Sequence, residues 1–444
     1  MQDSKQISRR TFLKGAVGAG LGASVFSIIP ASAMGRAIRS SPGNKIVMGC
    51  IGVGGQGTSD MYSFLFQPDT RIVAVCDVDK DHLANAKKIV DQHYGNQDCA
   101  AYVDFRELLA RDDLDAISLA TPDHWHCIPA IQSLNAGLDV YGEKPISHCL
   151  REGRMMCDAQ VRNGRIWQTG SWQRSVENFR FACELVRNGR IGKVMRCEVG
   201  LPTGVGIGPV KFKDPPPQLD YDFWLGPSRW APYCDQRTHW NWRWQLDYGG
   251  GQLMDWIGHH GDIAHWGMGF DRSGPSEVEG HGEFPATDAI WNTTGKYRIE
   301  ALYKKEVTGY SADVPFTIAG GYPEIRGGVK WIGTDGWVWV NRGGFDASNP
   351  EWKKYKNLPD ELAKVKLYVS NNHWRNFLDC VKSRQPTITP VETAHHSTIP
   401  GHLGLISMLV GRKIHWNVKH EKILGDPAAS ELLTRPYRAP WHLG

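Results

Sequence analysis

A lysine, an aspartate and a histidine in this chain have the types and spacing to take a proton from a hydroxyl group. Asp255 and His259 are four residues apart, so on a helix they share a face and the carboxylate can orient the imidazole. Oxidising a carbinol requires the hydroxyl proton to leave as hydride departs from carbon, and a histidine that titrates near working pH suits the role of base or acid. Lys144, in Glu143-Lys144-Pro145, can donate to the same oxygen and stabilise the charge that develops there.

A departing hydride needs an acceptor, and a nucleotide-binding turn stands far upstream. Gly52-Val53-Gly54-Gly55-Gln56-Gly57 follows an apolar strand at residues 45–51 and opens a helix. Gly52 serves the tight turn, Gly54 the approach of backbone to a pyrophosphate, and Gly57 close helix packing, while Gly55 and Gln56 complete the loop at the helix N-terminus. A second strand, residues 71–76, ends in Asp77, at the spacing expected of a carboxylate that binds ribose hydroxyls. That carboxylate repels a 2′-phosphate, which favours NAD; nearby Lys80 keeps NADP open.

The elements that must position these groups alternate. Helices are expected at residues 81–93, 104–110 and 127–136, and strands at 115–120 and 139–141. Such alternation predicts a doubly wound parallel sheet whose ligands collect at the carboxyl ends of the strands. Thr121, Pro122 and Glu143 fall at such ends, and His124 and His126 are expected to shape the cofactor pocket. After about residue 164 the pattern changes to one helix at 178–188 and then β-like segments at 192–201, 296–303 and 331–340, separated by Gly/Pro turns. Helical pattern returns at 372–383 and 394–409. The fold class is therefore α/β plus α+β: an N-terminal Rossmann sheet, and a C-terminal domain built on a large, mostly antiparallel sheet. The expected divisions are a leader at 1–33, an NAD(P)-binding domain at 44–165 and a substrate-binding and oligomerisation domain at 166–444.

The order of motifs resembles the Gfo/Idh/MocA oxidoreductase family. It runs from the glycine turn through Thr121-Pro122 and Glu143-Lys144-Pro145 to Gly249-Gly250-Gly251-Gln252-Leu253-Met254-Asp255-Trp256-Ile257-Gly258-His259-His260-Gly261-Asp262. The resemblance implies that Lys144 sits beside the nicotinamide and the substrate hydroxyl, with Asp255 and His259 completing the polar set. The family's glycine between the aspartate and the histidine comes one place late, at Gly258, which leaves His260 as a substitute for His259. Asp255, His259 and Asp262, with His260 and His265 nearby, also have the spacing of metal ligands. The resemblance argues against that use, and no metal is expected.

On the substrate side, Gln173 and Arg174 fall at the domain junction, and Arg243 lies in a stretch dense in tryptophan, from Trp224 to Trp266. Aromatic faces suit the C–H face of a sugar and polar groups suit its hydroxyls, so a carbohydrate fits better than an acidic or phosphorylated substrate. The chain has 444 residues and a net charge of +4, which speaks against a nucleic-acid surface. Its ten cysteines lack any CxxC pair, and few or no disulfides are expected.

Ser8-Arg9-Arg10-Thr11-Phe12-Leu13-Lys14, a short apolar run and Ala31-Ser32-Ala33 read as a twin-arginine leader cleaved near Ala33. Its apolar run, about 15 residues, is shorter than the roughly 20 that span a bilayer, and no later run is long enough either. The expectation is a periplasmic enzyme, exported folded and forming a homo-oligomer, that transfers hydride between a sugar, glycoside or cyclitol hydroxyl and a tightly bound nicotinamide cofactor. The alternative is an NAD-dependent glycoside hydrolase that oxidises its substrate transiently, eliminates the aglycone and returns the hydride.

Overall fold

The protein is described by a computed structural model covering residues 45–286 and 288–443. The leader read at residues 1–33 lies outside the described residues. Among those described, no helix is long and apolar enough to cross a membrane.

The first unit is a parallel sheet wrapped by helices on both faces. In chain order it comprises β1 (Ile46–Ile51), α1 (Gly55–Leu65), β2 (Thr70–Cys76), α2 (Lys80–Tyr94), β3 (Ala100–Tyr102), α3 (Phe105–Leu109), β4 (Ala116–Leu119), α4 (Cys127–Asn135), β5 (Asp139–Gly142), α5 (Leu150–Asn163) and β6 (Trp167–Thr169). The strand order is β3-β2-β1-β4-β5-β6, so the sequence reverses direction between β1 and β4. A crevice opens at that switch point, outside the carboxyl ends of the strands. Every residue of β1 is buried because both of its faces are covered: Ile46, Met48 and Cys50 enter one core, Val47 and Ile51 the other. Strand β6 lies past residue 165, so the first sheet runs on to Thr169. Helix α5 was not among the expected elements; it is charged along much of its length and buries a narrow stripe that includes Met156, Cys157 and Ala159.

The second unit contains α6 (Glu177–Arg187), β7 (Val194–Leu201), α7 (Gly251–Trp256), α8 (Asp262–Met268), β8 (Glu277–Glu283), β9 (Lys296–Tyr303), β10 (Val314–Gly320), β11 (Gly328–Gly333), β12 (Trp337–Asn341), β13 (Gly344–Ala347), α9 (His373–Ser383), α10 (Val391–Val410), β14 (Ile414–Asn417) and β15 (Lys422–Ile423). Its nine strands form one sheet in the order β13-β12-β11-β7-β10-β9-β8-β14-β15, antiparallel except where β10 runs parallel to β7. Along β9 the side chains alternate: Tyr297, Ile299, Ala301 and Tyr303 face the core, whereas Arg298 and Glu300 pair on the outer face at 2.6 Å. The segment expected as one strand at 331–340 is a hairpin, because Gly333 to Gly336 turn the chain and residue 336 has φ +155°. All ten cysteines are buried free thiols.

The two units are laced together. Helix α9 leaves the second unit and packs on the first sheet, where Phe377 meets Phe64 and Tyr141 edge-on at 5.9 Å each. Its Arg375 binds Asp69 at 2.5 Å, and Lys382 closes on the same carboxylate. In the other direction, residues 218–220 join the loop after β2: Gln218 accepts from Lys80 N at 3.0 Å, and Asp220 N donates to Val78 at 2.9 Å.

Burial pushes the Asp69 carboxyl up, but hydrogen bonds from Arg375 and Lys382 outweigh it and carry it down to about 2. A folded-state value below the unfolded one gives stability that is present above the ordinary aspartate range, about pH 4, and is lost as pH falls towards 2. Denaturant titrations of wild type and Asp69→Asn should therefore differ at pH 6 and converge near pH 2; a constant difference would show that Asp69 does not carry this acid sensitivity.

Candidate functional site

The glycine turn between β1 and α1 is built as its sequence demands. Gly52 has φ +76°, and a Cβ on it would fall 2.8 Å from the backbone of Ala120. A Cβ on Gly57 would fall 1.8 Å from the Gly52 carbonyl oxygen, so only glycine lets α1 seat against the turn. Gly55 faces open space, and the N-cap Gly54 offers no side chain to the first amides of α1. Those N–H groups stay available to an anion.

Asp77, at the end of β2, is held by two amides: Oδ2 accepts from Val53 N at 2.8 Å and Oδ1 from Asp79 N at 2.9 Å. It lies in a cleft of about 470 Å³ that runs from Asp77 and Asp79 past the glycine turn to Thr121, Pro122, His126, Glu143, Lys144 and Asp255. Thr121 Oγ1 is buried without a partner, as is Asp123 Oδ1 two residues on. A turn without a side-chain cap, a clamped carboxylate and an unpaired hydroxyl along one elongated cleft fit a dinucleotide. Lys80 does not line it.

Lys144 follows β5 at the inner end. Its Nζ donates to Asp255 Oδ1 at 2.8 Å and to the Asp255 carbonyl at 3.0 Å. Arg243 Nε approaches the same Oδ1 at 3.4 Å, with its guanidinium carbon 4.3 and 4.5 Å from the ring centres of Trp240 and Trp242. Burial raises the Asp255 carboxyl, but Lys144 and then Arg243 outweigh it and hold the group below the ordinary aspartate range. The inner end of the cleft is therefore an ammonium on a carboxylate, braced by an arginine.

Several expected site residues stand elsewhere. Asp255 does not orient His259: no hydrogen bond joins them among the described residues, because Ile257–Gly261 is a π-helical turn and the four-residue spacing no longer brings the side chains together. His259 does not line the cleft; its ring lies edge-on to Trp172 and Trp256 with Nδ1 unpaired. Burial first, then the charges of Lys144 and Arg342, push this imidazole well below the ordinary histidine value, making it a weak proton acceptor. His260 and Gln173 are also behind the cleft. The Gln173 amide sits between His260 Nδ1 at 3.3 Å and Arg342 Nε at 2.9 Å, its nitrogen turned to the imidazole.

His124 is buried against Trp224 and Tyr248, with Nε2 3.0 Å from the Trp224 carbonyl, and supports the loop from behind. His126 does reach the cleft, its ring nitrogens 2.7 Å from the carbonyls of Thr121 and Pro145, so it ties two strand ends together. Arg174 does not reach it: it is 2% exposed and bridges Asp262 at 2.7 Å and Asp271 at 2.7 Å. With Asp262 so engaged and His265 Nε2 at 2.7 Å from the Tyr303 hydroxyl, the residues spaced like metal ligands disperse.

Of the tryptophan-dense stretch, Trp224, Trp240 and Trp242 line the cleft, as do Asp123 and His239, which sequence reasoning passed over together with Arg342, whose guanidinium lies 4.5 Å from the Trp256 ring. Asp123 had a signal, its place just after Thr121-Pro122. The others arrive from loops of the second unit, where no local pattern marks them.

Replacing Arg174 by Met would leave the buried Asp262 carboxylate without its cation and beside half-buried Asp271, and should cost about 3–5 kcal/mol of stability. A fall in the urea midpoint checks this; an unchanged midpoint would count against an interior bridge.

Comparison with known proteins agrees with this architecture. Residues 46–171 match the NAD-binding Rossmann fold of an oxidoreductase family, and residues 183–443 match its C-terminal alpha/beta domain. A glycosyl hydrolase family 109 protein of Saccharopolyspora erythraea is 31% identical over 177 residues, 36% of this chain and 38% of that one. An alpha-N-acetylgalactosaminidase of Shewanella oneidensis is 29% identical over 217 residues, 43% of this chain and 45% of that one. The chain thus spans less than half the length of these curated relatives. Among solved structures, the WlbA dehydrogenase of Bordetella pertussis, in complex with NADH and UDP-GlcNAcA, superposes with a TM-score of 0.59 at 17% identity, over 84% of this chain and 99% of that one. With both domains matched in order, the protein belongs to the Gfo/Idh/MocA oxidoreductase family.

Proposed function

We propose that the protein is an NAD-dependent oxidoreductase that removes hydride from a hydroxyl-bearing carbon of a sugar, glycoside or cyclitol. The observation that carries this reading is the Lys144–Asp255 ion pair at the inner end of the cleft. The dinucleotide, when bound, supplies the hydride acceptor; the turn from Gly52 to Gly57, Asp77 and Thr121 would hold it. Lys144 donates to the substrate oxygen and stabilises the charge that gathers there as the C–H bond breaks. Asp255 and Arg243 fix the Lys144 ammonium in place, and the faces of Trp240 and Trp242 suit a sugar ring. His259 does not line the cleft and burial makes it a weak proton acceptor, so in this reading it shapes the wall behind Lys144.

Retention of the cofactor is supported by the segment that crosses the cleft. Residues 218–220 are bonded to the loop after β2, and His239, Trp240 and Trp242 reach the cleft from the same stretch. Export in the folded state through the Arg9-Arg10 leader fits a cofactor carried along, and the broad outer face of the nine-stranded sheet offers a second copy a place to pair.

A second reading is favoured by the curated relatives, whose names place them among glycosidases. In it the same oxidation at Lys144 acidifies the carbon next to the new carbonyl, loss of its proton expels the aglycone and leaves an enone, water adds to the enone in the aglycone's place, and the hydride returns to the carbonyl carbon.

Lys144→Met should abolish turnover while leaving dinucleotide content near that of wild type, and undiminished turnover would remove Lys144 from the reaction. Protein recovered gently from the periplasmic fraction should release NAD or NADH on denaturation. Given a panel of aryl glycosides, it should yield a keto-sugar under the first reading and free aglycone without net oxidation under the second. A nucleotide-free periplasmic protein would refute retention, and a protein confined to the cytoplasm would refute export.

A further inference from the structure

Two carboxyl groups meet at the inner end of the cleft with no cation of their own. Asp60, on α1, is fully buried; its Oδ1 accepts from Gln56 Nε2 and Trp374 Nε1, both at 3.2 Å, while Oδ2 has no N–H or O–H donor. Glu143 stands in hydrogen-bond contact with it, and Glu143 Oε2 lies 3.2 Å from the Lys144 amide. Residue 170 must be glycine for this arrangement, since a Cβ there would fall 2.1 Å from Glu143 Oε1. Two carboxylates in contact, shut off from water, cannot both ionise, so a proton is held between them.

The groups around the pair leave that proton in place. Lys144 is the nearby cation, and its ammonium is taken by Asp255 at 2.8 Å. The buried Tyr141 hydroxyl and Cys50 thiol, which also feel Asp60, are pushed upward by burial and stay neutral. Burial raises Glu143 to about 7 against the pull of Lys144, and burial followed by the charge of Glu143 raises Asp60. Asp60 is sealed beneath α1, whereas Glu143 lines the cleft beside Lys144.

We propose that the Asp60–Glu143 pair is the proton store of the reaction at Lys144, an inference that rests on the redox reading of that site. When a substrate hydroxyl is oxidised, the C–H bond breaks and its electron pair leaves as hydride to the bound NAD⁺. The O–H bond breaks as the carbonyl forms, and its proton passes to the free carboxylate of the pair. The substrate is oxidised, the dinucleotide reduced, and the proton kept inside the protein. Reversal returns hydride and proton together, which a cycle closing on a retained cofactor requires. Neither other candidate fits: His259 is out of the cleft, and Lys144 Nζ is engaged by the Asp255 carboxylate and carbonyl.

Infrared difference spectroscopy of the purified holoprotein, titrated without substrate, tests the shared proton. Wild type should show a carboxylic-acid C=O band that weakens as pH rises through about 7; Glu143→Gln should lose that transition, and Asp60→Asn should displace it. A wild-type protein with no titrating acid band, or a band unchanged in both variants, overturns the pair. The oxidation rate of a sugar then tests its role: in wild type it should rise through the same pH range, fall roughly 100-fold in Glu143→Gln with that rise abolished, and recover its pH dependence in Glu143→Asp. A variant slowed but with the wild-type pH profile overturns the role and leaves the redox reading standing. Wild type that shows the band yet oxidises no sugar instead overturns the redox reading, and the role with it.

Discussion

The 2.8 Å contact between Lys144 and Asp255 joins two units that chain topology would otherwise leave side by side. Lys144 closes a strand of the parallel sheet and Asp255 sits on a short helix of the second unit, so Lys144 meets its carboxylate, and Asp255 a cation closer than Arg243 at 3.4 Å, when the units dock. A buried charge without a partner is expensive, and losing one member of such a pair typically costs several kcal/mol. The same condition that completes the site therefore enforces the docking. Arg375 on Asp69, Arg384 on Asp139 and Arg435 on Glu152 repeat the device, each carrying an arginine from the C-terminal half to an acid of the first unit.

Seen from that contact, the cleft has a polarity. Its outer end holds Asp77 and Asp79, a pair of acids clamped by backbone amides; its middle is a glycine turn with spare N–H groups; at its inner end a lysine and an arginine converge on a carboxylate. Hydroxyl recognition, anion recognition and charge stabilisation are thus laid out in sequence along one crevice, the order in which an adenosine ribose, a pyrophosphate and a reacting carbon would be met.

Much of this was legible before any coordinates, and the reasons differ by element. The strand, turn and helix around Gly52 could be read because a positive φ and two close approaches leave no residue but glycine. Strands β2 and β9 announced themselves, one by an unbroken apolar run and one by alternation. The Asp255–His259 pairing failed for a local reason: a π-helical turn has more residues per turn than an α-helix, so a spacing of four no longer returns to the same face and His259 points away. Gln173 and Arg174 were placed by proximity to the domain junction, but proximity does not distinguish a cleft wall from an interior bridge. Arg342 and His239 had no sequence signal at all, since a hairpin turn and a loop deliver them by tertiary packing alone.

The segment over the cleft also bears on how this protein would behave as a population. If the nucleotide leaves only when residues 218–220 unzip from the loop after β2, each molecule carries its own redox history between encounters, reduced or oxidised according to its last substrate. An ensemble of such molecules responds to a mixture of donors and acceptors as a count of charged and discharged individuals, and not through a concentration of free cofactor. Its memory would last as long as four residues of β-like pairing hold.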